Sequence, residues 1–295
     1  MRHRLLLLKG SLLLVGMLCA LAPIPSPYSL GILAGVLLLT GLPHGAVDHL
    51  LHRHQYQGQV QHLHRHFYLG YFVWIGALAL LWVVWPAGAM LTFLGVSAYH
   101  FGQTQWQDTH SPRWAYLLWG GWVVFALLAS HPVPLTWGFN QVLGLQPAQQ
   151  PPQAMLPYVL HSGGWVWLVT TTASKAGWRR RLLEALEMAV LVLIFFRTDF
   201  YLSFALFFGG WHATRAIDNM MVQLRPFERI GLRRFYREAS LHTVGSILGI
   251  ATMVGGIHYF VGGSNTELLL FMGLSVVAVP HIATVELWEL FLRRR

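Results

Sequence analysis

Four histidines, His44, His100, His212 and His281, fall inside long apolar segments of a chain that holds sixteen histidines and a single cysteine. An ionisable side chain in such a segment is costly and marks a functional position. His44 lies sixteen residues after Tyr28, His100 thirteen after Ala87, His212 twelve after Phe200 and His281 fifteen after Thr266, each counted from the start of its apolar segment. If those segments are co-directional helices, the 1.5 Å rise per residue puts the four imidazoles within roughly 6 Å of one level. Imidazoles at one level can bind a divalent metal through one nitrogen each, while the other nitrogen needs an outer acceptor. Asp48, four residues after His44, stands one helical turn away on the same face and is the first candidate for that role. Glu286, five residues after His281, is the second.

All-nitrogen ligation suits iron, zinc, copper or nickel, so the ligand type alone does not name the metal. An apolar, aromatic-rich interior without a thiolate fits oxygen chemistry on a lipid-soluble substrate better than metal transport. A single intramembrane histidine is equally well explained by a hydrogen bond to a neighbouring helix, worth about 0.6 kcal/mol. The shared level of all four argues for ligation. His131 and His258 near the outer interface, His161 in an interrupted segment and His242 near the cytoplasmic surface read as ordinary polar residues. The run from His49 through His52 and His54 to His62, His64 and His66 reads as a solvated interfacial loop rather than a zinc site, because alternating histidines do not share one helix face. His49, at the end of its span, fits either reading. Tyr99, Phe101, Phe207, Phe208 and Trp211 fall at the histidine level and suit either a slot for a rigid polyene or plain core packing. Within Gly41-Leu-Pro-His-Gly45 the glycines allow close helix approach and Pro43 can bend the helix beside His44.

The elements that must position these residues are membrane helices. The chain has 295 residues, 55% of them apolar and 11% charged. A soluble domain carries about 25% charged residues. Apolar runs at 5–24, 28–51, 67–85, 87–104, 114–131, 154–174, 182–197, 200–215, 240–261 and 266–291 predict an all-α, polytopic integral membrane protein of about ten spans. The sixth is weak, broken by Pro157, His161, Gly163 and Gly164. Ten crossings place both termini on one side. Of twenty Lys and Arg residues, nineteen then share that side and only Arg197 does not, so the shared side is cytoplasmic. The basic start followed by Ala20-Leu21-Ala22 also resembles a signal peptide, but Lys9 inside the run argues against cleavage. The net charge of +9 follows from this asymmetry and does not indicate nucleic-acid binding. One cysteine, Cys19, excludes an intramolecular disulfide and a cysteine metal cluster. The expectation is a single membrane-embedded domain over 1–295, multi-pass in the cell membrane, with loops at 132–153 and 215–239; the second is basic and reads as an ordinary positive-inside loop, with an amphipathic helix on the cytoplasmic leaflet as the alternative.

GLPHGAVDHLL at 41–51 resembles the opening signature of the Brp/Blh family of bacterial and archaeal membrane β-carotene 15,15′-dioxygenases. SAYHFGQ at 97–103, GGWHATR at 209–215 and PHIATVELWE at 280–289 resemble its later histidine motifs, in the family's order along nearly the whole chain. The resemblance implies iron(II), O2 and central cleavage of β-carotene into two all-trans-retinals. It carries His44, His100 and His212 over as iron ligands, and it allows a rhodopsin-type retinal acceptor as partner. One position departs: Ala216 stands where the family has a histidine one turn after His212. Either His281 completes the set, or the site has three histidines, or activity is altered or lost. A desaturase- or hydroxylase-like oxidase would need clustered histidine boxes, whereas these are scattered singly. A transporter would need paired charges or broken helices at the midplane.

Overall fold

The computed structural model describes residues 26–55, 60–107, 111–131, 152–228, 230–261 and 266–294, with single positions at 14, 18, 21, 24, 109 and 142. Among the described residues there is no strand. The elements are α1 (Ser26–Val36), a π-helical stretch (Leu37–Gly41), α2 (Leu42–Gly45), α3 (Asp48–Gln55), α4 (Val60–Val84), α5 (Pro86–Trp106) and α6 (Arg113–Ser130). Then come α7 (Pro152–Ala173), α8 (Trp178–Arg197), α9 (Phe200–Phe204), a second π-helical stretch (Ala205–Ala213), α10 (Thr214–Leu224), α11 (Leu232–Val261) and α12 (Thr266–Arg293).

Among the described residues five helical stretches are long and apolar enough to cross a membrane: Pro27–Gln55, His66–Val84, Arg113–Ser130, Leu232–Gly256 and Phe271–Arg293. The other expected spans from 87–104 to 200–215 are helical too but more polar: α5 ends in Gly-Gln-Thr-Gln-Trp, and α8 carries Arg179, Arg180, Arg181, Glu184 and Glu187. The first expected span, 5–24, lies almost wholly outside the described residues, as do 132–141 and 143–151 of the first long loop. Two expected loops are helical instead. Residues 214–224 continue the helix of the eighth span and α11 starts at Leu232, so most of 215–239 is helix. Residues 48–55 and 60–66 are helical as well, so only 56–59 of the histidine-rich segment fall outside the description.

The chain forms two compact units. One comprises residues 1–41 and 97–219. Here α6 packs along α7 and α8 closes on both, around a core of Trp106, Tyr116, Trp119, Trp122, Phe195, Phe207 and Trp211. The interrupted sixth segment is one continuous helix, α7, despite Pro157. Gly163 leaves room for the Trp122 ring against it, and Trp122 Nε1 donates to the Val159 carbonyl at 3.2 Å. Asp199 caps α9 by accepting from the amides of Tyr201 and Leu202 at 2.9 and 3.1 Å. The second unit comprises 42–96 and 220–295, where α12 packs on α11, α4 and α3. Trp82 Nε1 donates to Ser275 Oγ at 2.8 Å in its interior.

Candidate metal centre

In the first unit α5 presents His100 between two points of near backbone contact with α6. A Cβ on Gly102 would strike the Tyr116 carbonyl, and one on Gly120 the Ala98 carbonyl. Only glycine allows that approach, so it fixes the α5 backbone on both sides of His100. His212 sits in the second π stretch, where the widened turn shifts the register of the side chains that follow; such turns recur at functional sites. The first π stretch lies against it. Thr40 Oγ1 is 2.9 Å from both the Val36 and Gly209 carbonyls, supplying a donor where the widened turns disturb the usual helical ladder. The rings of His100 and His212 meet edge to face with centroids 4.9 Å apart, and both residues are buried. The Nδ1 of His100 is 3.1 Å from Gln103 Oε1.

In the second unit Pro43, His44 and Gly45 form the end of α2. The chain turns at Ala46–Val47 before α3 begins at Asp48. The helical ladder beside Pro43, which cannot donate to the preceding turn, is irregular on both sides, with the π stretch before it and the turn after Gly45. His281 follows Pro280 on α12. Its ring meets that of His44 edge to face, centroids 4.8 Å apart, and both are buried. Asp48 Oδ1 is 2.8 Å from His281 Nδ1, and Tyr71 donates its hydroxyl to Asp48 Oδ2 at 3.3 Å. Asp48, expected to orient one of the ligand candidates, meets His281.

Each unit so buries one pair of imidazoles and holds one ring of the pair by its Nδ1, the arrangement in which Nε2 serves as metal donor. A carboxylate behind one ring and an amide behind another suit a divalent cation bound by neutral imidazoles.

A neighbouring network in the first unit carried no sequence expectation. Gln105 donates to Glu184 and Glu187 at 2.6 and 2.7 Å. Arg215, three residues after His212, donates to the Gln105 side chain at 2.8 Å and to its carbonyl at 2.7 Å. Arg180 pairs with Glu184 at 2.7 Å, and Asn219 donates to the Thr104 carbonyl at 3.2 Å. The usable signal was two acids one turn apart inside an apolar run, with Arg180 one turn before the first.

Several other described histidines have partners elsewhere. His131 is buried with Nε2 3.0 Å from the Thr198 carbonyl and Nδ1 2.9 Å from Ser130 Oγ. His161 accepts from Trp165 Nε1 at 3.2 Å. His49 stacks on His242 at 4.5 Å, His52 on Phe67 at 4.7 Å, and His54 sits 3.3 Å from Glu228. The aromatic residues divide as well. Phe207 and Trp211 belong to the buried core, whereas the partly buried Phe101 and Phe208 touch the His212 ring at 4.8 and 5.7 Å. Phe204 and Phe208 stack at 5.2 Å, extending a row of rings away from His212.

A family model described as β-carotene 15,15′-dioxygenase matches residues 35–289. No curated protein and no solved structure matches the chain. The matched stretch spans both π-helical segments, both histidine pairs, Asp48 and Gln103, and on that match the chain belongs to the β-carotene 15,15′-dioxygenase family.

Proposed function

We propose that the chain is a multi-pass membrane carotenoid oxygenase that adds O2 across the central double bond of β-carotene, giving two molecules of all-trans-retinal, with one iron(II) held by histidines. The family match supports the reaction class. The observation that carries the metal assignment is the burial of four imidazoles as two edge-to-face pairs, His44 with His281 and His100 with His212. His44, His100 and His212 are buried donors of a kind that could hold a metal ion, and His281 is the fourth ligand in this reading. Its ring contact with His44 supports offering His281 for the role that Ala216 cannot play.

Iron bound there would supply the activation of O2. The chain supplies the rest. Asp48 and Gln103 orient two of the rings. Phe101, Phe208 and Phe204 offer flat apolar faces along which a rigid polyene can lie. The buried, largely apolar surroundings keep bulk water from the reacting carbons. Retinal leaves as a lipid-soluble product suited to a rhodopsin-type acceptor in the same membrane.

The test is expression in cells that make β-carotene. Loss of orange colour with retinal formation is expected, and His44→Ala, His100→Ala and His212→Ala each abolish both. Full activity in all three variants refutes the ligand assignment. Colour retained by the wild-type chain, with iron bound, favours instead a family member altered by the Ala216 substitution.

A further inference from the structure

We infer that Gln103 is a positioning residue that fixes the tautomer of His100, keeping the ring proton on Nδ1 and leaving Nε2 as the donor atom; its bearing on iron rests on the ligand assignment proposed above. Gln103 follows His100 by three residues, so the two side chains share a helix face. It is wholly buried, and its Oε1 lies 3.1 Å from His100 Nδ1. A neutral imidazole carries one N–H, and the partner at one nitrogen decides which nitrogen keeps it. An amide oxygen can only accept, so this contact puts the proton on Nδ1.

The backbone around Gln103 is packed closely, which gives its amide a fixed base. Gly102 lies against the Tyr116 carbonyl. The Thr104 carbonyl accepts from Asn219 at 3.2 Å and the Gln105 carbonyl from Arg215 at 2.7 Å. The backbone that carries Gln103 is thereby held on both flanks. The partner of His281 is a carboxylate and that of His100 a neutral amide. Gln103 thus orients its ring without adding negative charge.

The experiment uses the full chain in detergent, with histidines labelled by 15N and the His100 signals assigned from a His100→Asn variant. In the metal-free wild type, His100 shows a protonated Nδ1 and an unprotonated Nε2. Gln103→Leu gives a mixture of tautomers. Gln103→Glu, which keeps an acceptor, restores the wild-type pattern. A wild-type His100 protonated on Nε2 overturns the inference, as does a Gln103→Leu pattern identical to wild type. Should Gln103→Leu not fold, the wild-type and Gln103→Glu spectra still decide. Titration with Co(II), followed by its visible bands, then tests the consequence for the metal. Gln103→Leu weakens binding by about tenfold or more, and Gln103→Glu recovers most of it. A wild-type chain that binds no Co(II) defeats the ligand reading while the ring spectra still judge Gln103.

Discussion

Asp48 Oδ1 meets His281 Nδ1 at 2.8 Å across 233 positions of sequence, with both side chains buried. The contact sets the ring proton of His281 on Nδ1 and its direction relative to His44. Asp48→Ala should lower metal affinity by about 10- to 100-fold, the usual cost of removing such a partner. Asp48→Asn, which keeps an oxygen acceptor, should fall between. Tyr71→Phe should cost less than either, since its hydroxyl is 3.3 Å from the carboxylate. Iron retained per chain after dialysis against a graded chelator measures all three, and wild-type retention by Asp48→Ala would refute the orienting role.

Gly45 is the floor on which the His281 ring rests. A Cβ there would lie 3.2 Å from His281 Cγ and 3.4 Å from its Nδ1, which displaces the ring by a few tenths of an ångström. Gly45→Ala should therefore reduce iron content and retinal formation while the protein still folds. Gly35→Ala is the control, because nothing lies within 4 Å of its added methyl. It should leave iron content unchanged, with helix stability raised by at most about 1 kcal/mol. Equal iron content in both variants would remove the steric argument.

The sequence pointed to the buried histidines more readily than to the groups that hold them. Long apolar runs announce helices wherever the bilayer is the solvent, and an intramembrane histidine is visible because it is expensive. That is why His44, His100, His212 and His281 could be singled out before any geometry. Depth counting gave one level but not pairs, since rotation about each helix axis depends on packing. The turn at Ala46–Val47 and the two π stretches shift register by fractions of a turn, which ideal helical spacing does not encode. Spacing could offer Asp48 as an orienting acid but not say which ring it meets. Gln103 and Gln105 carry no charge and raise no alarm in a polarity count, yet one orients a candidate ligand and the other ties three helices together. Arg180 and Arg215 were read as topology markers, although each also neutralises a buried acid.

The α5–α6 crossing predicts an unusually intolerant pair of positions. An added methyl at Gly102 or Gly120 meets a backbone carbonyl rather than a flexible side chain. The helices must then separate beside His100. Gly102→Ala and Gly120→Ala should each lower the melting temperature in detergent and reduce iron content together. Gly121→Ala, with nothing within 4 Å, should do neither. Melting curves with parallel metal analysis make the comparison, and a stable Gly102→Ala protein with full iron would contradict it.

The network around Gln105 should behave as one unit. Arg215→Met leaves the buried Glu187 without the guanidinium 3.8 Å away and the Gln105 carbonyl without its 2.7 Å donor. Breaking a buried ion pair from one side costs about 3–5 kcal/mol. Adding Glu187→Gln to Arg215→Met should recover part of that loss, because the stranded charge is removed. Denaturation of both variants in mixed micelles tests this; strictly additive losses would show that the residues do not act together.

Glu228, between α10 and α11 in the second unit, predicts an acid limit to stability. Burial alone would raise its carboxyl, but the His54 hydrogen bond together with Arg234 and Arg53 holds it below its ordinary value of 4.5. Arg53 Nη2 lies 2.9 Å away, His54 Nε2 lies 3.3 Å away, and Arg234 also pairs with it. A carboxylate whose folded value is depressed contributes stability that is fully present above its unfolded value. That contribution is lost as the pH falls through the folded one. The wild type should therefore lose stability from about pH 4.5 downward more steeply than Glu228→Gln. The variant should be the less stable of the two at neutral pH. The effect should shrink in high salt, since the partners are partly exposed. Melting temperatures from pH 7 to pH 3 at two salt concentrations check each part, and parallel pH profiles for the two proteins would show that Glu228 contributes nothing through its charge.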